Sequence, residues 1–205
     1  TYTEDSTEQT VGVFIHDAEK AFEGYTLFAP MQSSTTYLMD NEGNFVYTWE
    51  NEYKPGLSVY LLENGNLLRT ASVTNTTFDA GGSGGKVQKI DPDGNVIWEF
   101  EHAGDQYLLH HDIEVLPDGN ILMIAWEYKS EAEATAAGRD PSLLSDGELW
   151  PDKIIEVDPD TKEIVWEWKV WNHLIQDYDD SKPNYGTVAD HPELVDLNYV
   201  ARGPS

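Results

Sequence analysis

The sequence predicts an all-β fold made of β-propeller blades, each blade a sheet of four antiparallel strands. Three observations lead there: a hairpin unit that repeats, turn residues at fixed places within each unit, and strands that are apolar on both faces. One-sided alternation would suit a sandwich, whereas stacked blades must bury both faces of each sheet.

The chain opens on TYTEDSTEQT, a polar, acidic stretch without the pattern of a signal peptide, although one could have been removed. Residues 1–23 are expected to be an N-terminal extension, and residues 24–205 a partial propeller of about three blades. Within it, two hairpin types alternate. The first is TYLMDNEGNFVYTWE (Thr36 to Glu50), which returns as VQKIDPDGNVIWEFE (Val87 to Glu101) and as IIEVDPDTKEIVWEWK (Ile154 to Lys169). The second is SVYLLENGNLLRTA (Ser58 to Ala71), which returns as HDIEVLPDGNILMIAW (His111 to Trp126). The turns have a mechanism. Asp91-Pro92-Asp93-Gly94 puts Pro where φ must be near -65° and Gly where φ can be positive. Asn64-Gly65 and Asp118-Gly119 are strong hairpin signals. The unit recurs about every 51 to 54 residues, Gly43 to Gly94 and Gly65 to Gly119. Two hairpins per period make one four-stranded sheet.

Two segments break the repeat. Residues 128–151, YKSEAEATAAGRDPSLLSDGELWP, form an insertion whose Ala- and Glu-rich start, with Gly138 behind it, predicts a short helix. In the stretch from Val170 to Val200, Asp190-His191-Pro192-Glu193 reads as an N-cap followed by Pro in a first helical turn. Closed propellers need about four blades or more. The remaining blades, or a partner chain, are therefore expected to complete the ring.

Composition narrows the function. The chain has 205 residues, 12 Lys and Arg against 38 Asp and Glu, and a formal net charge of -26. Such a field repels nucleic acid and anionic membrane surfaces. No apolar run approaches membrane-spanning length, so no membrane insertion is expected. The absence of cysteine removes disulfides and thiolate metal sites.

Against this background His110-His111-Asp112 stands out. Aligning the second-type hairpins on Gly65 and Gly119 sets His110, His111 and Asp112 against Gly56, Leu57 and Ser58. The sister repeat manages without them, so the fold does not demand them. Strand alternation puts His110 and Asp112 on one face and His111 on the other, and Asp112 or a backbone carbonyl is expected to fix one ring's tautomer. Paired, hydrogen-bonded structural histidines are the competing reading. The same alignment sets Arg69 against Met123, which makes Arg69 either an anion ligand or half of an ion pair. The Gly81–Gly85 run is not a P-loop, because Ala80 and Val87 break the pattern; a flexible connection is the simpler reading. Asp177, Asp179 and Asp180 offer calcium-type oxygens, but a solvated acidic loop explains them, and no cofactor is expected. Trp49, Trp98, Trp166 and Trp168 recur in register and are expected to pack between blades. Trp126, Trp150 and Trp171 fall outside that register and are candidates for an aromatic-binding mouth as much as for the core.

GYTLFAPMQSSTTYLMDNEGNFVYTWE, LLHHDIEVLPDGNILMIAWE and WNHLIQDYDDSKPNYG with HPELVDLN resemble the arylsulfotransferase family, over nearly the whole chain from about Val11. The resemblance implies a six-bladed propeller with a site on its axis. It also implies sulfuryl transfer from an aryl sulfate to a phenol through a sulfohistidine, without a nucleotide donor. His110-His111 matches the family's histidine pair, in a role of sulfuryl binding or proton transfer, with Arg69, Asp112 and Trp126 as substrate-binding candidates. The expected location is periplasmic or extracellular. The family's nucleophilic histidine and a key arginine come later than Ser205, so the chain is expected to be the N-terminal half of such an enzyme, inactive until the rest is supplied. Two other classes remain: a non-catalytic propeller module for binding or assembly, and a metal-dependent hydrolase or lactonase, which would need carboxylates and Asn converging on a metal.

Overall fold

The computed structural model describes residues 13–144 and 146–200. The first twelve residues of the expected extension, and the last five of the chain, lie outside the described residues. By its contacts the described chain divides into two units. Residues up to Val73 with Lys86–Glu101 form the first, and Thr74–Gly85 with the residues from His102 onward form the second.

The first unit is all strand and turn. β1 (Thr26–Phe28), β2 (Thr35–Met39) and β3 (Phe45–Glu50) form a three-stranded antiparallel sheet. β4 (Pro55–Leu61), β5 (Leu67–Ser72), β6 (Gly85–Ile90) and β7 (Val96–Glu101) form a four-stranded sheet in chain order. Trp49, Leu67 and Ile90 bury together, with Leu27, Leu38 and Val59 against them, so residues of both sheets share one apolar core. Burying each of these large side chains contributes roughly 1.5–3 kcal/mol.

The second unit carries a second four-stranded antiparallel sheet. Its strands are β8 (Tyr107–Val115), β9 (Ile121–Glu127), β12 (Asp152–Val157) and β13 (Ile164–Lys169), again side by side in chain order. The insertion lies between β9 and β12. It holds β10 (Lys129–Ser130) paired with β11 (Glu148–Leu149), and between them α1 (Glu131–Ala136). The helix forms because Ser130 caps it: its Oγ accepts from Glu133 N–H, and the Glu133 carboxylate accepts from Ser130 N–H at 2.9 Å. Each expected hairpin therefore appears, and each second-type hairpin is joined to the first-type hairpin that follows it.

The turns close as their residues dictate. Asp40, Leu62, Asp91 and Leu116 each donate N–H to the carbonyl of the Asn four residues on, and each accepts the N–H of the glycine three residues on. Those glycines have φ between 82° and 95°, where a side chain would be strained. The Ile154 to Lys169 hairpin has no such glycine. Lys162 takes the positive φ instead, at 61°, in a turn one residue longer.

Two expectations are corrected. Among the described residues no helix follows Asp190. Val188–Asp190 makes one 3₁₀ turn, the His191 ring turns to the Glu193 carboxylate, and Val195 N–H goes to His173 O. These backbone groups serve a short parallel pair, β14 (Leu174–Ile175) with β15 (Val195–Asp196), instead of a helix. The recurrent tryptophans also differ among themselves. Trp49 is 4% exposed, but Trp166 is 48% exposed, and Val96, Ile97, Ile164 and Val165 on β7 and β13 are exposed too. Exposed apolar residues lie on the edge strands β3, β7 and β13, and also on the opposite edge strands β4 and β8.

Candidate functional site

The two second-type hairpins share an irregularity that the repeat alignment did not foresee. On β8 the register jumps from Leu109↔Ala125 to Ile113↔Met123, and on β4 from Pro55↔Ala71 to Val59↔Arg69. In both, three residues on one strand oppose a single residue on the other, a bulge that re-aims its side chains. The middle residue takes positive φ in each case: 55° at His111 and 89° at Leu57. The alignment of His110, His111 and Asp112 with Gly56, Leu57 and Ser58 thus holds in three dimensions.

The bulge overturns the expectation that alternation separates the two rings. His110 and His111 meet, Nδ1 to Nδ1, at 2.8 Å, with ring planes 88° apart. His110 is 5% exposed and stacks on Trp126 at 4.1 Å between centroids and 15° between planes. Its Nε2 lies 3.1 Å from Asp152 Oδ1. β9 runs between β8 and β12, which stand roughly 10 Å apart, so the His110 ring reaches across Trp126 to the carboxylate. His111 is exposed and sits edge-on to Trp126. The Asp112 carboxylate accepts from Ile113 N–H at 2.8 Å, and the carboxylate at His110 is that of Asp152.

The glycine run is built structure. Gly82 O accepts from His111 N–H, and Gly84 N–H donates to Leu109 O, both at 2.9 Å. A Cβ on Gly82 would stand 2.3 Å from His111 Cε1 and 2.5 Å from Nε2. Only glycine lets the loop lie against this imidazole, and the φ of 90° at Gly82 favours glycine as well. Behind the pair, Trp126 joins Phe78 and Trp150 in an aromatic cluster with centroid separations of 5.1–6.1 Å. Trp171 stands apart, under Lys129 Nζ. Trp150 also lines a cleft of about 1030 Å³ with Tyr128, Asp79, Asp105, Asp146 and Glu148. Four carboxylates make that cleft unfavourable for an anionic group.

Other charged groups occupy different surroundings. Arg69, in the first unit, is 1% exposed, and its Nη2 donates to Tyr53 O at 2.9 Å. Its Nε and Nη1 have no hydrogen-bond partner, and no carboxylate pairs with it, among the described residues. Desolvation pushes its pKa down to about 10, which leaves it charged at neutral pH. His102 shows what a core histidine looks like in this chain: stacked on Tyr107 at 3.9 Å, with its pKa pushed down to about 4 by burial and then by Lys153. Among the described residues, no group of three or more His, Asp or Glu converges as a metal site. Asp179, one of the candidate calcium ligands, accepts from Ser181 N–H and Oγ, as a turn residue does.

Sequence reasoning missed Asp152 and Gly82. Asp152 had a signal. Aligning Ile154 to Lys169 with Val87 to Glu101 sets Asp152 against Gly85, and each opens its strand. The comparison that singled out His110-His111 would have singled out this departure too. Gly82 lay in a run where no single glycine announces its contact.

A family model described as Arylsulfotransferase (ASST) matches residues 11–194. Among solved structures, a protein of unknown function from Bacteroides caccae is similar at 16% identity and a TM-score of 0.42, over 70% of this chain and 39% of that one. BamB from Moraxella catarrhalis is similar at 9% identity and a TM-score of 0.23, over 70% of this chain and 60% of that one. The chain thus spans less than two thirds of the length of either. No curated protein matches it.

Proposed function

The chain belongs to the arylsulfotransferase family, and from that premise we propose that it supplies an acid-base histidine pair to an enzyme moving a sulfuryl group from an aryl sulfate to a phenol. The single observation carrying this reading is the pair itself. A buried, stacked His110 holds an exposed His111 at a bulge where the sister sheet carries Gly56 and Leu57. In the proposed cycle a histidine elsewhere in the full-length protein attacks sulfur. The S–O bond to the donor aryl group breaks, and the departing phenolate takes a proton. The acceptor phenol then loses its proton as its oxygen bonds to sulfur and the N–S bond breaks. His111 gives and takes these protons, a role worth roughly 10²–10⁴ in rate.

The other candidates take supporting places. Trp126 fixes the His110 ring by stacking on it. Arg69 has two donor groups, Nε and Nη1, that no described residue occupies, but at 1% exposure an anion reaches them only if the side chain is uncovered. Asp112, exposed beside His111, is a candidate for contact with the acceptor. The six-bladed ring, the sulfohistidine and the periplasmic or extracellular location belong to the same proposal. Full-length protein incubated with an aryl sulfate and a phenol is expected to form the new aryl sulfate without any nucleotide donor. No transfer, with binding of the phenol or of a partner protein retained, would favour the non-catalytic module.

A further inference from the structure

We propose that Asp152 is a positioning residue that sets the proton order of the histidine pair and so makes His111 a base at its Nε2. This rests on the functional reading above and adds a residue to it. A carboxylate only accepts hydrogen bonds. At 3.1 Å from Asp152 Oδ1, His110 Nε2 must carry the proton it donates. A neutral His110 then presents a lone pair at Nδ1. The 2.8 Å contact to His111 Nδ1 is therefore a bond that His111 donates. With its proton committed to Nδ1, His111 has its lone pair at Nε2. The stacking of His110 on Trp126 keeps the first ring from turning, and the close approach of Gly82 confines the second. As the acceptor phenol attacks, its O–H proton passes to His111 Nε2, and the imidazolium keeps its Nδ1–H bond to His110. No proton needs to move to Asp152. The carboxylate acts by orientation and by favouring the charge that forms two groups away.

The aspartate side chain is 48% exposed, so replacing it leaves little buried space to fill. In ¹⁵N-histidine-labelled full-length protein, NMR at a pH where both rings are neutral is expected to find His110 with its proton on Nε2 and His111 with its proton on Nδ1. Asp152→Asn is expected to shift His111 toward the Nε2–H form. It should also lower kcat about 10²-fold with a phenol acceptor that must lose a proton, with KM nearly unchanged. An acceptor already ionised at the assay pH should lose much less, which a merely structural defect would not spare. Asp152→Glu should recover part of both readouts. An Nε2–H tautomer of His111 in the unaltered protein, or an Asn variant with tautomer and kcat both unchanged, would overturn the proposal. The functional reading fails separately: if His111→Ala leaves turnover intact while Asp152→Asn still moves the tautomer, Asp152 keeps its positioning role and the acid-base role of His111 is refuted.

Discussion

At the scale of single residues, the site is defined by departures from a repeat. His110, His111 and Asp152 stand where sister positions carry Gly56, Leu57 and Gly85. The sister sheet folds with the same bulge and the same positive φ at Leu57, so packing alone does not require imidazoles. Gly82 completes the set. Gly82→Ala would put a Cβ within 2.3–2.7 Å of three His111 ring atoms. Either the ring or the loop must move, and the positive φ adds strain of about 1 kcal/mol. We expect Gly82→Ala to lower sulfuryl transfer at least as much as it shifts KM, with a small loss of melting temperature. A variant with unchanged turnover would show that the loop does not confine the ring.

At the scale of elements, the hairpins were legible because their information is local. A Pro, an Asn-Gly or an Asp-Gly fixes turn geometry within a few residues, and the strands follow. The bulge was not legible, because register is settled between strands and neither Leu57 nor His111 is a residue that announces positive φ. That is why alternation wrongly placed the two rings on opposite faces. The helix expected after Asp190 failed for a related reason: its backbone donors serve β14 and nearby turns, which propensity does not register. Helix α1 was legible, and its cap is testable. Ser130→Ala removes the Oγ that accepts from Glu133 N–H and donates to its carboxylate. It should cost about 1 kcal/mol, speed hydrogen exchange of the α1 amides, and leave transfer activity in place. Unchanged exchange would mean that the β10–β11 pair, and not the cap, holds the helix.

At the scale of the whole molecule, charge and length frame the account. A net charge of -26 opposes an anionic aryl sulfate at long range, so capture needs local cationic or hydrogen-bond donor groups. The proposed turnover is that of the full-length protein. In the proposed function His111 acts chemically and is not a packing residue of the repeat. Sulfuryl transfer from an aryl sulfate to a phenol, measured in full-length His111→Ala beside full-length Leu57→Ala, tests it most directly, since the two substitutions remove the same position from sister bulges. A fall of about 10²-fold or more is expected for His111→Ala, with Leu57→Ala close to the unaltered protein. Equal turnover in the two variants would contradict it.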